Sequence, residues 1–156
     1  MLDTSSPLVT EFLKDHQQFS RLLYEISKLL DAGEIEKAQE RADELNRLAG
    51  PHIAYEEAEL YPRLQQMGVT SVSEEHLVGE HHQVLDAVEL LLSPGTLTPE
   101  QVAECREGIR VALDHAEHCG SLISLVSRLD EREQAASLVV LKQLRHEGKS
   151  WTELER

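Results

Sequence analysis

No stretch of this chain holds the roughly 18 consecutive apolar residues that a membrane-spanning helix requires, so none is expected. Basic residues are scarce: 15 Lys and Arg stand against 29 Asp and Glu, giving a formal net charge of −14. Nucleic acids and anionic membrane surfaces are both recognised through a basic footprint, so neither is expected as a partner. There is no glycine-rich phosphate loop and no nucleophile–base arrangement suited to hydrolysis, so enzymatic turnover is left open. The first residues, MLDTSSPLVTEF, carry neither a basic cluster nor a long apolar run, and no secretory leader is expected from them. Cysteine is limited to Cys105 and Cys119. Both fall on one predicted helix, about 21 Å apart at the helical rise, too far to bridge each other. That pattern fits a reducing, cytoplasmic setting.

What remains is helical. With 156 residues, five prolines, eight glycines and few β-branched runs, the chain suits one all-α domain spanning 1–156. An up-down four-helix bundle is expected over about residues 7–130, with an additional C-terminal helical extension over 131–156. The first helix should start at Ser6 with Pro7 at its first position, and stop near Gly33. Its inward stripe is Phe12, His16, Phe19, Leu23, Ile26 and Leu30, alternating steps of four and three as in a bundle seam. The second runs from about Glu34 to Met67, with Gly50-Pro51 expected to kink or restart it. Its seam is Ala38, Ala42, Leu45, Ala49, His52, Glu56 and Glu59, apolar first and polar after. The third, opened by a capping box at Ser71-Val72-Ser73-Glu74, carries Leu77, His81, Val84, Val88 and Leu91. The fourth, capped at Thr98-Pro99, carries Cys105, Gly108, Ala112, His115, Cys119, Leu122, Val126 and Leu129. A fifth helix follows from Asp130, then a capped turn in which Trp151 should seal an edge of the bundle.

Eight histidines is a high count for this length. A single histidine on an apolar seam is most often a hydrogen-bonded core residue. Here each of four helices places one on its seam: His16, His52, His81 and His115. As separate core residues each would need its own buried partner, whereas a shared metal satisfies all of them together. The stretch PHIAYEEAELYP, from Pro51 to Pro62, adds Glu56 four residues after His52, on the same helical face. A weak internal repeat reinforces this. His16 precedes His52 by 36 residues and His81 precedes His115 by 34, and each second histidine has a candidate ligand four residues on, Glu56 and Cys119. Two such hairpins suggest a pseudo-two-fold metal site inside the bundle. Glu59 continues the seam as a candidate ligand, proton relay or hydrogen-bond acceptor. His118, on an adjoining line, is a candidate near-site residue. Glu57 is placed at the surface or just behind the ligands, and His76, His82 and His146 at the surface.

These features resemble the hemerythrin-like proteins with the HHE cation-binding motif. The resemblance rests on Asp15-His16, on His52 through Pro62, and on Glu80-His81 followed by Val84 and Val88, and it covers about residues 7–130. It implies two non-heme irons in a four-helix bundle, and roles in binding dioxygen, sensing oxygen or iron, reacting with nitric oxide or peroxide, or repairing iron–sulfur clusters. The chain departs from the pattern at HAEHCGSLISL, from His115 to Leu125. Cys119 stands where the family has a second bridging carboxylate, Gly120 follows, and the aromatic–proline ending is missing. Cys119 could leave a coordination position open, supply a soft thiolate suited to redox iron or to zinc, or mark a site reduced to a single metal; as a small buried residue it could equally face a degenerate site. The reading carried forward is a di-iron protein that takes a small diatomic ligand or peroxide, with His16, His52, His81 and His115 as nitrogen ligands and Glu56 bridging or capping. Phe12, Phe19, Leu77, Val84 and Leu122 would form its apolar surround. The alternatives are a metal-dependent sensor or iron-handling module acting through a protein partner, and a bundle with a vestigial site.

Overall fold

A computed structural model describes residues 6–69 and 73–154, and all regular structure among these residues is helical. Helix α1 spans Pro7–Asp31; the Ser6 side chain accepts a hydrogen bond from the Val9 amide at its start, and Gly33 takes a positive φ just past its end. Helix α2 spans Ile35–Tyr55 and continues without interruption through a π-helical turn, Glu56–Leu60, into α3, Tyr61–Gln66. Helix α4 spans Glu74–Leu92, and its cap is Ser73, whose side chain accepts from the His76 amide; Glu74 is thus the first helical residue rather than the third position of the expected box, while Ser71 and Val72 lie outside the described residues. Helix α5 spans Pro99–Leu122 behind a capping box formed by Thr98 and Gln101. A 3-10 segment, Ile123–Arg128, leads to α6, Glu131–Glu147, and a final 3-10 turn holds Trp151–Glu153.

Short connections make α1–α2 and α4–α5 antiparallel hairpins, and α1 also packs on α5 while α2 packs on α4. These four helices enclose the core. Helix α6 lies against α1 and α2, and the Trp151 turn against α2 and α4. No helix among the described residues is long and apolar enough to cross a membrane.

Two expectations are corrected. The helix does not restart at Gly50-Pro51, since α2 runs through both residues; the break in regular α geometry comes one turn later, at the π turn. The residue four before Pro51 is Arg47, on the exposed side, where solvent can take up the carbonyl that proline leaves unbonded. Gly50 has a different use: a Cβ there would collide with the Lys149 carbonyl oxygen, so its bare backbone lets the C-terminal segment lie against α2. The second correction is the end of α5, which changes to 3-10 geometry after Leu122 and leaves Leu129 half-buried beyond it.

The core has two apolar parts. One contains Phe19, Leu23, Ile26, Leu45, Val84, Val88 and Trp151; the other contains Leu8, Phe12, Tyr55, Tyr61, Leu77, Cys119, Leu122 and Leu141. The sequence order of each seam sets what lies between them. His16 falls between Phe12 and Phe19, His81 between Leu77 and Val84, and His115 between Ala112 and Cys119. The histidines therefore form a polar layer across the middle of the bundle.

Candidate metal centre

His16, His52, Glu56, His81 and His115 are all buried, and no described lysine or arginine bonds to Glu56. Nε2 of His16 and of His52 lie 3.6 and 3.3 Å from Oε2 of Glu56, while Nε2 of His81 lies 3.1 Å from Oε1. The donor atoms gather into two groups that share Glu56: His16, His52 and Glu56 in one, and Glu56, His81 and His115 in the other, each with its atoms within 4.8 Å of one another. A carboxylate with one oxygen toward each group can bridge two cations.

A second ring of carboxylates fixes the imidazoles from behind. Asp15 Oδ2 is 3.2 Å from His52 Nδ1, Glu57 Oε2 is 2.7 Å from His81 Nδ1, and Glu80 Oε1 is 2.9 Å from His115 Nδ1. When Nδ1–H donates outward, Nε2 is the atom offered inward, the arrangement found behind metal-bound histidines. Arg145 of α6 extends this ring, donating to Asp15 Oδ2 at 3.0 Å and to Glu11 Oε1 at 2.9 Å. Phe12 stacks on His16 at 4.6 Å between ring centres and lies 4.4 Å from the His52 ring.

The electrostatics follow from burial set against these partners. Burial works to raise the pKa of Glu56, but the imidazoles around it, His52 foremost, hold it well below the ordinary carboxylate value. Burial works to lower His52 and His81, yet Glu56 with Asp15 raises the first, and Glu56 with Glu57 raises the second to about 9. His115 is lowered, chiefly by burial, with the charge of His81 adding to it against the pull of Glu56. Three inward atoms, His16 Nε2, His52 Nε2 and Glu56 Oε2, make no hydrogen bond. Buried polar atoms without partners are costly and rare, and these three converge on one point. A cation held there would satisfy all three, so the residues present fit a metal.

A family model for the hemerythrin HHE cation-binding domain matches residues 8–118. The chain belongs to this family. No curated protein and no solved structure gives a significant match. The hemerythrin HHE match contains every histidine and carboxylate of both donor groups and the outer carboxylates Asp15, Glu57 and Glu80, but stops before Cys119, Arg145 and Trp151.

The remaining candidates sit at different distances from this hemerythrin-type centre. Cys119 is fully buried, with Sγ 3.2 Å from His115 Nε2. Burial, reinforced by the negative charge of Glu56, pushes its thiol pKa far up, so it is a neutral thiol in the metal-free protein. Glu59 is not brought to the centre; it pairs with Arg63. His118 is exposed, and His76 and His146 are exposed as well, while His82 is half-buried. Sequence reasoning missed Arg145 in the outer ring and, at the centre itself, Tyr61. Tyr61 is buried with its hydroxyl 3.3 Å from Glu56 Oε1, 3.2 Å from His81 Nε2, 3.4 Å from His115 Nε2 and 3.2 Å from Cys119 Sγ. The π turn accounts for this. It adds a residue to the helical register, so the place four after Glu56 on the inner face passes to Tyr61, five residues on, and Glu59 turns outward. The only available signal was the aromatic before Pro62, since helical periodicity points to Glu59.

A cavity of about 40 Å³ adjoins the histidines, walled by Phe19, Leu23, Ala49, Val84, Ala112 and Trp151. A water molecule needs roughly 10–15 Å³ on the same measure, so there is room for a diatomic molecule. Of the expected apolar surround, Phe19 and Val84 line this cavity, whereas Phe12, Leu77 and Leu122 belong to the opposite core.

Proposed function

We propose that this protein is a non-heme di-iron protein of the hemerythrin type that takes dioxygen, nitric oxide or peroxide at its buried centre. The observation that carries the reading is Glu56, with one carboxylate oxygen facing the His16–His52 pair and the other facing the His81–His115 pair. His16, His52, His81 and His115 would be the nitrogen ligands and Glu56 the bridge, with Cys119 and Tyr61 beside the second pair. A pair of irons held there would supply redox chemistry toward small oxidants. The protein residues orient the imidazoles through Asp15, Glu57 and Glu80, and they exclude bulk water through the apolar cavity wall. Carboxylate and imidazole donors suit iron, while a thiolate from Cys119 would widen the range to zinc. The setting proposed is the cytoplasm, where both thiols stay reduced.

The test is elemental analysis with an optical spectrum on protein loaded anaerobically with ferrous iron, then exposed to dioxygen or nitric oxide. Wild type should bind about two irons per chain and change its spectrum on exposure. Glu56→Gln should lower iron affinity by more than the about 10–100-fold typical of a partner behind the ligands, because it removes the charge shared by both groups. Full iron retention in Glu56→Gln would overturn the assignment.

A second reading, a metal-dependent sensor acting through a protein partner, draws on the contact of Arg145 with Asp15, which itself holds His52. Through that contact the C-terminal segment would register the state of the centre. Inert bound metal together with metal-dependent protein association would favour it.

A further inference from the structure

The two hairpins of the bundle can be laid on each other residue by residue. Asp15-His16 corresponds to Glu80-His81, His52 to His115, and Glu56-Glu57 to Cys119-Gly120. The contacts obey this register. Asp15 reaches across to Nδ1 of His52, and its counterpart Glu80 reaches across to Nδ1 of His115. Glu57 holds Nδ1 of His81 at 2.7 Å, so its counterpart, position 120, should hold Nδ1 of His16. Position 120 is glycine. A Cβ built there would lie 3.6 Å from His16 Nδ1, its one neighbour within 4 Å. The register therefore holds in space while the carboxylate is missing. Among the described residues, His16 is the one histidine of the four whose Nδ1 has no carboxylate behind it.

The inner faces differ in the same direction. Beside His81 and His115 stand Glu56 Oε1, the Tyr61 hydroxyl and Cys119 Sγ. Beside His16 and His52 stands Glu56 Oε2, and all three of those atoms are without hydrogen-bond partners. One position thus has more donors and two braced imidazoles; the other has three donors and one unbraced imidazole.

We infer that the replacement of a Glu-Glu pair by Cys119-Gly120 makes the two metal positions unequal: the His81–His115 position fills first and holds its ion, and the His16–His52 position is the weak, exchangeable one. This rests on the metal-binding reading of the centre. Outer carboxylates behind metal-bound histidines typically change affinity by about 10–100-fold, which sets the scale of the difference. Position 120 is half-buried, as Glu57 is, and the nearest atom is at ordinary contact distance, so a longer side chain can be placed there.

The test is a titration of metal-free protein with zinc or anaerobic ferrous iron, counting bound ions by native mass spectrometry and measuring each step by competition with a chelator. Wild type should load in two steps separated by at least about tenfold. His16→Ala should keep the tight ion and lose the weak one, and His115→Ala should lose the tight one. Gly120→Glu should tighten the weak step by about 10–100-fold and leave the first unchanged, while Gly120→Ala, which adds a Cβ without a carboxylate, should not. Two equal steps in wild type, loss of the tight ion in His16→Ala, or equal effects of Gly120→Glu and Gly120→Ala would overturn the inference while leaving the metal-binding reading intact. Wild type that takes up no metal at all would overturn both. Circular dichroism of each variant separates a binding effect from a folding failure.

Discussion

The hydroxyl of Tyr61 carries one proton and has four polar neighbours: Glu56, His81, His115 and Cys119. It donates to Glu56 and can accept from the Cys119 thiol or from protonated His81, so it ties the second donor group together in the metal-free protein. Tyr61→Phe keeps the ring, which packs in the core with Leu60 and Leu64, and removes that partner. The metal-free variant should be less stable by about 1–2 kcal/mol in urea unfolding, because Glu56 loses the hydroxyl that donates to it in a dry site, while Cys119 and His115 keep each other as partners. Unchanged stability would mean that the hydroxyl contributes nothing net there. His16, His52, Glu56, His81 and His115 were legible in the sequence because each sits where a 3.6-residue repeat turns a polar side chain into an apolar seam. Tyr61 was not legible, and Glu59 was placed wrongly on the inner face, for a single reason: a π turn changes the repeat locally, and no composition signal in EEAEL announces it.

At the level of elements, the four bundle helices, the caps at Ser6 and Thr98 and the start of the fifth helix at Asp130 were readable from local chemistry. What could not be read was how α6 and the Trp151 turn join the centre, because those contacts link residues about a hundred positions apart. Asn46 holds Thr152 through two hydrogen bonds of 3.1 and 3.0 Å, Tyr55 meets Ser137 at 2.7 Å, and Arg145 grips Asp15. A Cβ at Gly50 would collide with the Lys149 carbonyl oxygen, which accounts for a glycine in mid-helix. Gly50→Ala must push the Lys149 carbonyl away, an overpacking that should cost about 1–3 kcal/mol. Trp151 is the sole tryptophan of the chain and a wall of the cavity, so its fluorescence reports the displacement directly. The emission of Gly50→Ala should shift to the red as the indole gains water. An unshifted spectrum with wild-type stability would show that the C-terminal segment can adjust without leaving the cavity.

At the scale of the whole molecule, two apolar cores are separated by a layer of buried charge, and the metal-free protein must carry that layer unaided. Its stability should then depend on pH in a defined sense. Burial opposes charge on His81, but Glu56 and Glu57 raise its pKa from 6.5 to about 9. A raised value in the folded state means that the folded protein holds the proton more tightly than the unfolded chain does. The resulting stabilisation is complete below the unfolded value of 6.5 and is lost as pH rises through about 9. His52, raised by Glu56 and Asp15 against burial, acts in the same direction. Metal on the Nε2 atoms replaces those protons, so the loaded protein should lose this dependence, and loading should release protons within the same window. At free metal about 100-fold above Kd, binding adds about 2.7 kcal/mol, which for a chain of this size is a rise in Tm of roughly 5–10 °C. The check is a set of thermal melts of chelated and loaded protein across that pH range, with proton release followed by an indicator dye in weak buffer. Parallel pH profiles for the two forms, with no proton release on loading, would show that the metal binds elsewhere than on His52 and His81.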